Sequence, residues 1–76
     1  MTSAYIFVEV GPEASFDLLP SIREIKGVQQ AHAIMGPTDG VAFVEVADLE
    51  ELSETVMAIR AVTGVESTDT RFVWPY

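Results

Sequence analysis

The sequence predicts an α+β sandwich in the order β-α-β-β-α-β. Three observations predict it: short runs of β-branched and aromatic residues bounded by glycine and proline, two intervening segments with apolar residues at helical spacing, and an internal repeat. Ala4-Tyr5-Ile6-Phe7-Val8-Glu9-Val10 is the first such run and Gly11-Pro12 closes it, giving strand one. Over 13–25, Phe16, Leu18, Leu19, Ile22 and Ile25 recur at spacings of three and four, and Gly27 ends the segment as helix one. Pro20 lies inside that pattern. Its ring collides with the carbonyl four residues back, so the segment is expected to kink or restart there as two short pieces. Residues 28–35 read as strand two, and the turn formers Gly36-Pro37-Thr38-Asp39-Gly40 lead into strand three over 41–46, which makes a hairpin. Asp48 supplies an N-cap, Glu50, Glu51 and Glu54 suit a helix N-terminus, and Leu49, Leu52, Val56, Ile59 and Val62 form one stripe. Gly64 ends helix two. Strand four follows over 65–74, where Pro75 stops it.

The repeat supports the element order independently. Phe7-Val8-Glu9-Val10 reappears as Phe43-Val44-Glu45-Val46 at an offset of 36, and Ile22-Arg23 with Gly27-Val28 echoes Ile59-Arg60 with Gly64-Val65 at an offset of 37. Two βαβ halves related by a pseudo-twofold make a split βαβ, ferredoxin-like sandwich. The expected antiparallel sheet has the order 4-1-3-2 with both helices on one face. Right-handed crossovers are expected to place strands one and three side by side and parallel at its centre.

Alternation sends Ile6, Val8, Val10, Ala42, Val44 and Val46 towards the helices. The opposite face then carries Tyr5, Phe7, Glu9, Val41, Phe43 and Glu45. Soluble monomers rarely leave so many rings in one wet patch, so a second copy of the sheet is expected to cover it in an isologous dimer resembling a dimeric α/β barrel. Glu9 and Glu45 are expected at matching places on neighbouring strands. Such a carboxylate pair could hold an amine or cation or act as an acid/base pair; it could equally be a solvated rim, or pair with Arg71.

With 76 residues the chain is read as a single domain over 1–76, without a DNA-binding part. A domain of this size buries only about 60% of its unfolded surface. No cysteine and one histidine leave no disulfide, no ordinary metal site and no expected cofactor, so self-association is the remaining way to stabilise a small core. Twelve acidic against four basic residues give a net charge of −8, which disfavours direct nucleic-acid binding. No apolar run approaches the roughly 20 residues that cross a bilayer, and the first residues lack a secretory pattern, so a cytoplasmic location with no membrane association is expected. Enzymatic chemistry has few candidates, namely His32, Trp74 and Tyr5. His32 reads as a surface residue and Trp74 as a packing anchor. With no nucleophile beside a base, the chain is read as a non-enzyme. A small dimeric α/β-barrel monooxygenase is the enzymatic alternative.

The hairpin Gly36-Pro37-Thr38-Asp39-Gly40-Val41 resembles the Gly-x-x-Asp signature of the ligand-binding domain of Lrp/AsnC transcriptional regulators, also called the RAM domain. The resemblance extends to the Ile22-x-x-Ile25-x-Gly27-Val28 run, the acidic start of helix two, and Gly64-Val65 leading to Thr68-x-Thr70. It implies a stand-alone effector-binding domain that dimerises through facing sheets, assembles further into larger homo-oligomers, and binds an amino acid or related small molecule between dimers. Full-length regulators of that family are implied as further partners, and a ligand-free module that co-assembles with them is the alternative. By position the resemblance assigns ligand contacts to Gly36, Thr38, Asp39, Gly40, Thr68 and Thr70. Two positions depart from the family: Thr38 stands where an aromatic residue is common, and Gly40 replaces a bulky apolar one. Gly36 would permit close backbone approach, loop amides and Thr38 would hold a carboxylate, and Asp39 would accept from an amine. The alternative for Gly36 and Asp39 is that they only shape the turn.

Overall fold

A computed structural model of the chain describes residues 1–12 and 16–74, the side chain of Phe16 excepted. Strands β1 (Thr2–Val10), β2 (Val28–Ala33), β3 (Gly40–Val46) and β4 (Val65–Phe72) form one sheet in the order β2-β3-β1-β4, the expected order read from its other edge. Helices α1 (Leu19–Arg23) and α2 (Leu49–Arg60) complete the βαββαβ sandwich.

All neighbouring strands are antiparallel, including the central pair, so the expectation of a parallel β1–β3 pair is wrong. The reason is topological. A hairpin makes β3 run against β2, and the crossover through α1 makes β2 run with β1, so a β3 inserted between them opposes both.

Pro20 acts as its ring predicts. A 3₁₀ turn at Phe16–Leu18 precedes α1, and the proline sits in the first turn of α1, where no donor is lost. The expected start of this helix near Glu13 and the stop at Pro75 lie outside the described residues. In α2 the N-cap is as read, with the Asp48 carboxylate accepting from the Glu51 amide at 2.9 Å. The stripe needs correction at one end. Leu52 and Ile59 are buried and Val56 and Val62 pack beside them, but Leu49 is 61% exposed and Thr55 takes an inner position. The Thr55 hydroxyl lies 3.1 Å from the Glu51 carbonyl and 3.3 Å from that of Lys26, which satisfies a polar group inside the helix–sheet seam.

Ala4, Ile6, Val8, Ala42, Val44 and Val46 of the sheet meet Leu18, Leu19, Ile22, Leu52 and Ile59 of the helical layer in one core. Gly27 lets the layers approach closely: its φ is +97°, and a Cβ there would stand 2.8 Å from Val46 Cγ1. Among the described residues, no helix is long and apolar enough to cross a membrane.

Candidate functional site

The register that buries the even-numbered residues of β1 turns its odd-numbered residues to the sheet's uncovered side. Tyr5 stands opposite Phe43 and Phe7 opposite Val41, so four apolar side chains form two adjacent rows on the central strands. The Tyr5 and Phe43 rings lie 5.0 Å apart at a 45° tilt, a favourable aromatic arrangement. Tyr5 remains 47% exposed, and Phe7, Val41 and Phe43 are half-buried. On one flank β2 places Gln30 opposite Phe43 and His32 opposite Val41. On the other, Asp69 stands opposite Phe7 and Arg71 opposite Tyr5. The Arg71 guanidinium lies 5.5 Å from the Phe7 ring centroid and binds the Asp69 carboxylate at 2.9 Å.

Glu9 and Glu45 share this face but are not neighbours. Glu45 pairs with Ser3, and Glu9 lies six residues further along β1, about 20 Å away at strand rise. The antiparallel direction separates them: a repeat that would align equivalent residues on parallel strands puts them at opposite ends of antiparallel ones. Glu9 accepts from the Ser67 hydroxyl at 3.2 Å and Glu45 from that of Ser3 at 3.5 Å. The two carboxylates therefore form no pair and no acid/base couple, and Arg71 is engaged with Asp69 rather than with either.

The 36–40 loop joins β2 to β3 at the C-terminal end of β1. The Asp39 amide donates to the Val8 carbonyl at 3.0 Å, the Ile34 amide to the Asp39 carbonyl at 3.1 Å, and the Val10 amide to Asp39 Oδ2 at 3.0 Å. That carboxylate serves Val10 where the β3 main chain has turned away, close to the shift in the β1–β4 register between Glu9 and Val10. The Asp39 carboxylate thus fastens the loop to β1, while its main-chain carbonyl closes the hairpin. Gly36 adopts φ +145°, and nothing lies within 4 Å of where its Cβ would be, so this main chain is open to approach. Thr38 and Asp39 are half-buried beside it.

Thr68 and Thr70 are held apart from the loop. Gly40 and Thr68 both pair with Val8, from opposite sides, which sets them two strands apart at about 10 Å. Thr70 is further along, opposite Ile6, and both threonines sit half-buried on the helix side of the sheet. The chain therefore brings Gly36, Thr38, Asp39 and Gly40 together but does not set the threonines against them.

Of the enzymatic candidates, Tyr5 belongs to the aromatic row, and exposed His32 stands 3.1 Å from the Gln30 amide oxygen. Trp74, beyond the end of β4, is 64% exposed. Sequence reasoning missed the Asp39–Val10 bond and the Arg71–Phe7 contact. Both depend on long-range register, the Asp39–Val10 bond on that between β1 and β3 and the Arg71–Phe7 contact on that between β1 and β4, which local pattern does not give.

Substituting Asp39 separates its two capacities. Asp39→Ala leaves the Val10 amide without its acceptor and is expected to destabilise the domain by about 1–3 kcal/mol in urea unfolding. Asp39→Asn keeps an acceptor and is expected to retain most of that stability.

The family model of the Lrp/AsnC ligand binding domain matches residues 3–74. Among curated protein sequences, none matches this one. Among solved structures, TTHA0845 from Thermus thermophilus superposes with a TM-score of 0.91 at 30% identity, covering 100% of this chain and 96% of that one. The transcriptional regulator NMB0573 from Neisseria meningitidis, solved as a complex with L-Met, gives 0.85 at 25% identity, covering 96% of this chain and 49% of that one. Rv3291c, a feast or famine regulatory protein from M. tuberculosis complexed with L-methionine, gives 0.87 at 21% identity, covering 100% and 52%. The chain thus spans about half the length of these two regulators and nearly all of TTHA0845. The sheet order, the 36–40 hairpin and the match over residues 3–74 agree, and this chain belongs to the Lrp/AsnC ligand binding domain family.

Proposed function

We propose that this domain is a cytoplasmic sensor that binds an amino acid or a close relative of one at the 36–40 loop, and that it works as a homodimer sealed through its open sheet face. The observation that carries the ligand reading is the anchored loop. Asp39 fixes the main chain of the loop to β1, while Gly36 leaves backbone amides within reach of a carboxylate. The Thr38 hydroxyl adds a donor for that carboxylate, and the second Asp39 oxygen supplies an acceptor for an ammonium group. A zwitterion suits such a site. The L-Met complex of NMB0573, 25% identical to this chain, supports an amino acid as the class.

Because Thr68 and Thr70 stand on another part of the sheet, a ligand that touched both sets would sit between protomers, with the loop from one and the threonines from another. That arrangement makes binding depend on assembly beyond the dimer. It leaves the domain without chemistry of its own: it would transmit occupancy by changing how copies, or related regulators, associate.

The test is thermal unfolding in the presence of each L-amino acid, methionine first. A ligand at 100 times its dissociation constant stabilises the folded form by about 2.7 kcal/mol. The stabilising amino acid is expected to lose most of its effect on Asp39→Asn, which removes the charge and keeps the Val10 bond. If no amino acid moves the transition, the sensor reading is wrong, and a ligand-free module that co-assembles with regulators takes its place.

A further inference from the structure

We propose that closure of the open face against a second copy is controlled by ionic strength, through Glu9 and Glu45. The inference rests on the sealed-face reading above and adds a control to it.

The two glutamates stand at opposite ends of the apolar rows formed by Tyr5, Phe43, Phe7 and Val41, each on a central strand. Serine hydroxyls donate to both, Ser67 to Glu9 and Ser3 to Glu45, but among the described residues no cation lies within salt-bridge reach of either. The chain has four lysines and arginines. Arg71 alone stands on this face, and Asp69 already holds it. Arg23 turns to the Ala31 carbonyl, Lys26 sits at the junction below α1, and Arg60 ends α2, all on the helical side. A twofold copy brings the same two glutamates and the same engaged arginine. Sealing therefore sets apolar attraction against four carboxylates, none of which has a lysine or arginine partner within its own chain among the described residues.

These opposing forces respond differently to salt. The Debye length falls from about 30 Å at 0.01 M to about 3 Å at 1 M, so repulsion between partly exposed carboxylates fades while burial of the rings keeps its strength. The face should then open in dilute electrolyte and close in concentrated electrolyte.

Sedimentation equilibrium of the intact protein tests this, at about 0.01 M and about 0.5 M NaCl. Three proteins are compared: the wild type, Glu9→Gln with Glu45→Gln, and a control, Glu50→Gln with Glu54→Gln, with the same charge change on exposed positions of α2. Glutamine keeps an acceptor for each serine, and circular dichroism confirms the fold of each variant. The wild-type dimer constant is expected to tighten about tenfold or more between the two salts. The face variant should dimerise more tightly at low salt and lose most of that dependence, while the control keeps it. A wild-type dimer indifferent to salt overturns the proposal and leaves the sealed face standing. So does a control that flattens as much as the face variant, since the effect then belongs to net charge. A wild type that is monomeric at every salt and concentration overturns the sealed face itself.

Discussion

The double variant Phe7→Glu, Phe43→Glu is expected to lose the proposed sheet-to-sheet dimer altogether, and light scattering after size exclusion should show monomer or unfolded chain. Both rings lie on the central strands of the uncovered face, and each stands beside another apolar side chain, Val41 next to Phe7 and Tyr5 next to Phe43. Full burial of such a ring is worth about 1.5–3 kcal/mol, and a twofold interface contains both rings twice. The substitutions also add two carboxylates to a face that already holds Glu9, Glu45 and Asp69. Steric shape alone is controlled by Phe7→Leu, Phe43→Leu, which keeps an apolar face and should still associate. An unchanged mass for the glutamate variant, with native circular dichroism, would show that these rings meet no partner.

Elements and faces were legible because they depend on local pattern. Alternation in Ala4-Tyr5-Ile6-Phe7-Val8 fixes which side chains share a face whatever the strand direction, so the division into a buried and an uncovered side is correct. Pro20 was legible for the same reason, since a ring without an amide hydrogen restricts its own turn. Long-range placement was not. The relation between Glu9 and Glu45 depends on the direction of β3 relative to β1, and a misread direction converts a distance of about 20 Å into an apparent contact. Asp39 shows the intermediate case: its residue type and its place in the turn signal an acceptor, but nothing in the local sequence says that the Val10 amide of β1 fills it. Leu49 illustrates a smaller error. As the residue just after the N-cap it continues the apolar spacing of α2, yet the helix begins beyond the edge of the core there, and Thr55 occupies the inner position further along.

Ile59→Ala is expected to have the largest effect of any single core truncation in α2. Ile59 is fully buried between α2 and the sheet, where it joins Ile6, Ile22 and Val44 at the centre of the core. Deleting such a side chain removes about 2–5 kcal/mol, and a domain of this length has on the order of 5–10 kcal/mol to lose, so much of the isolated protomer's stability would disappear. If folding is coupled to sealing of the open face, association restores part of it, because a partner that binds only the folded chain stabilises that form by mass action. The variant's unfolding midpoint should therefore rise with protein concentration, measured by calorimetry over a hundredfold range, and more visibly than in the wild type. The same truncation in the Phe7→Glu, Phe43→Glu background should abolish that rise. A midpoint independent of concentration in Ile59→Ala itself would mean that the helix–sheet core sustains the fold without help from a second sheet.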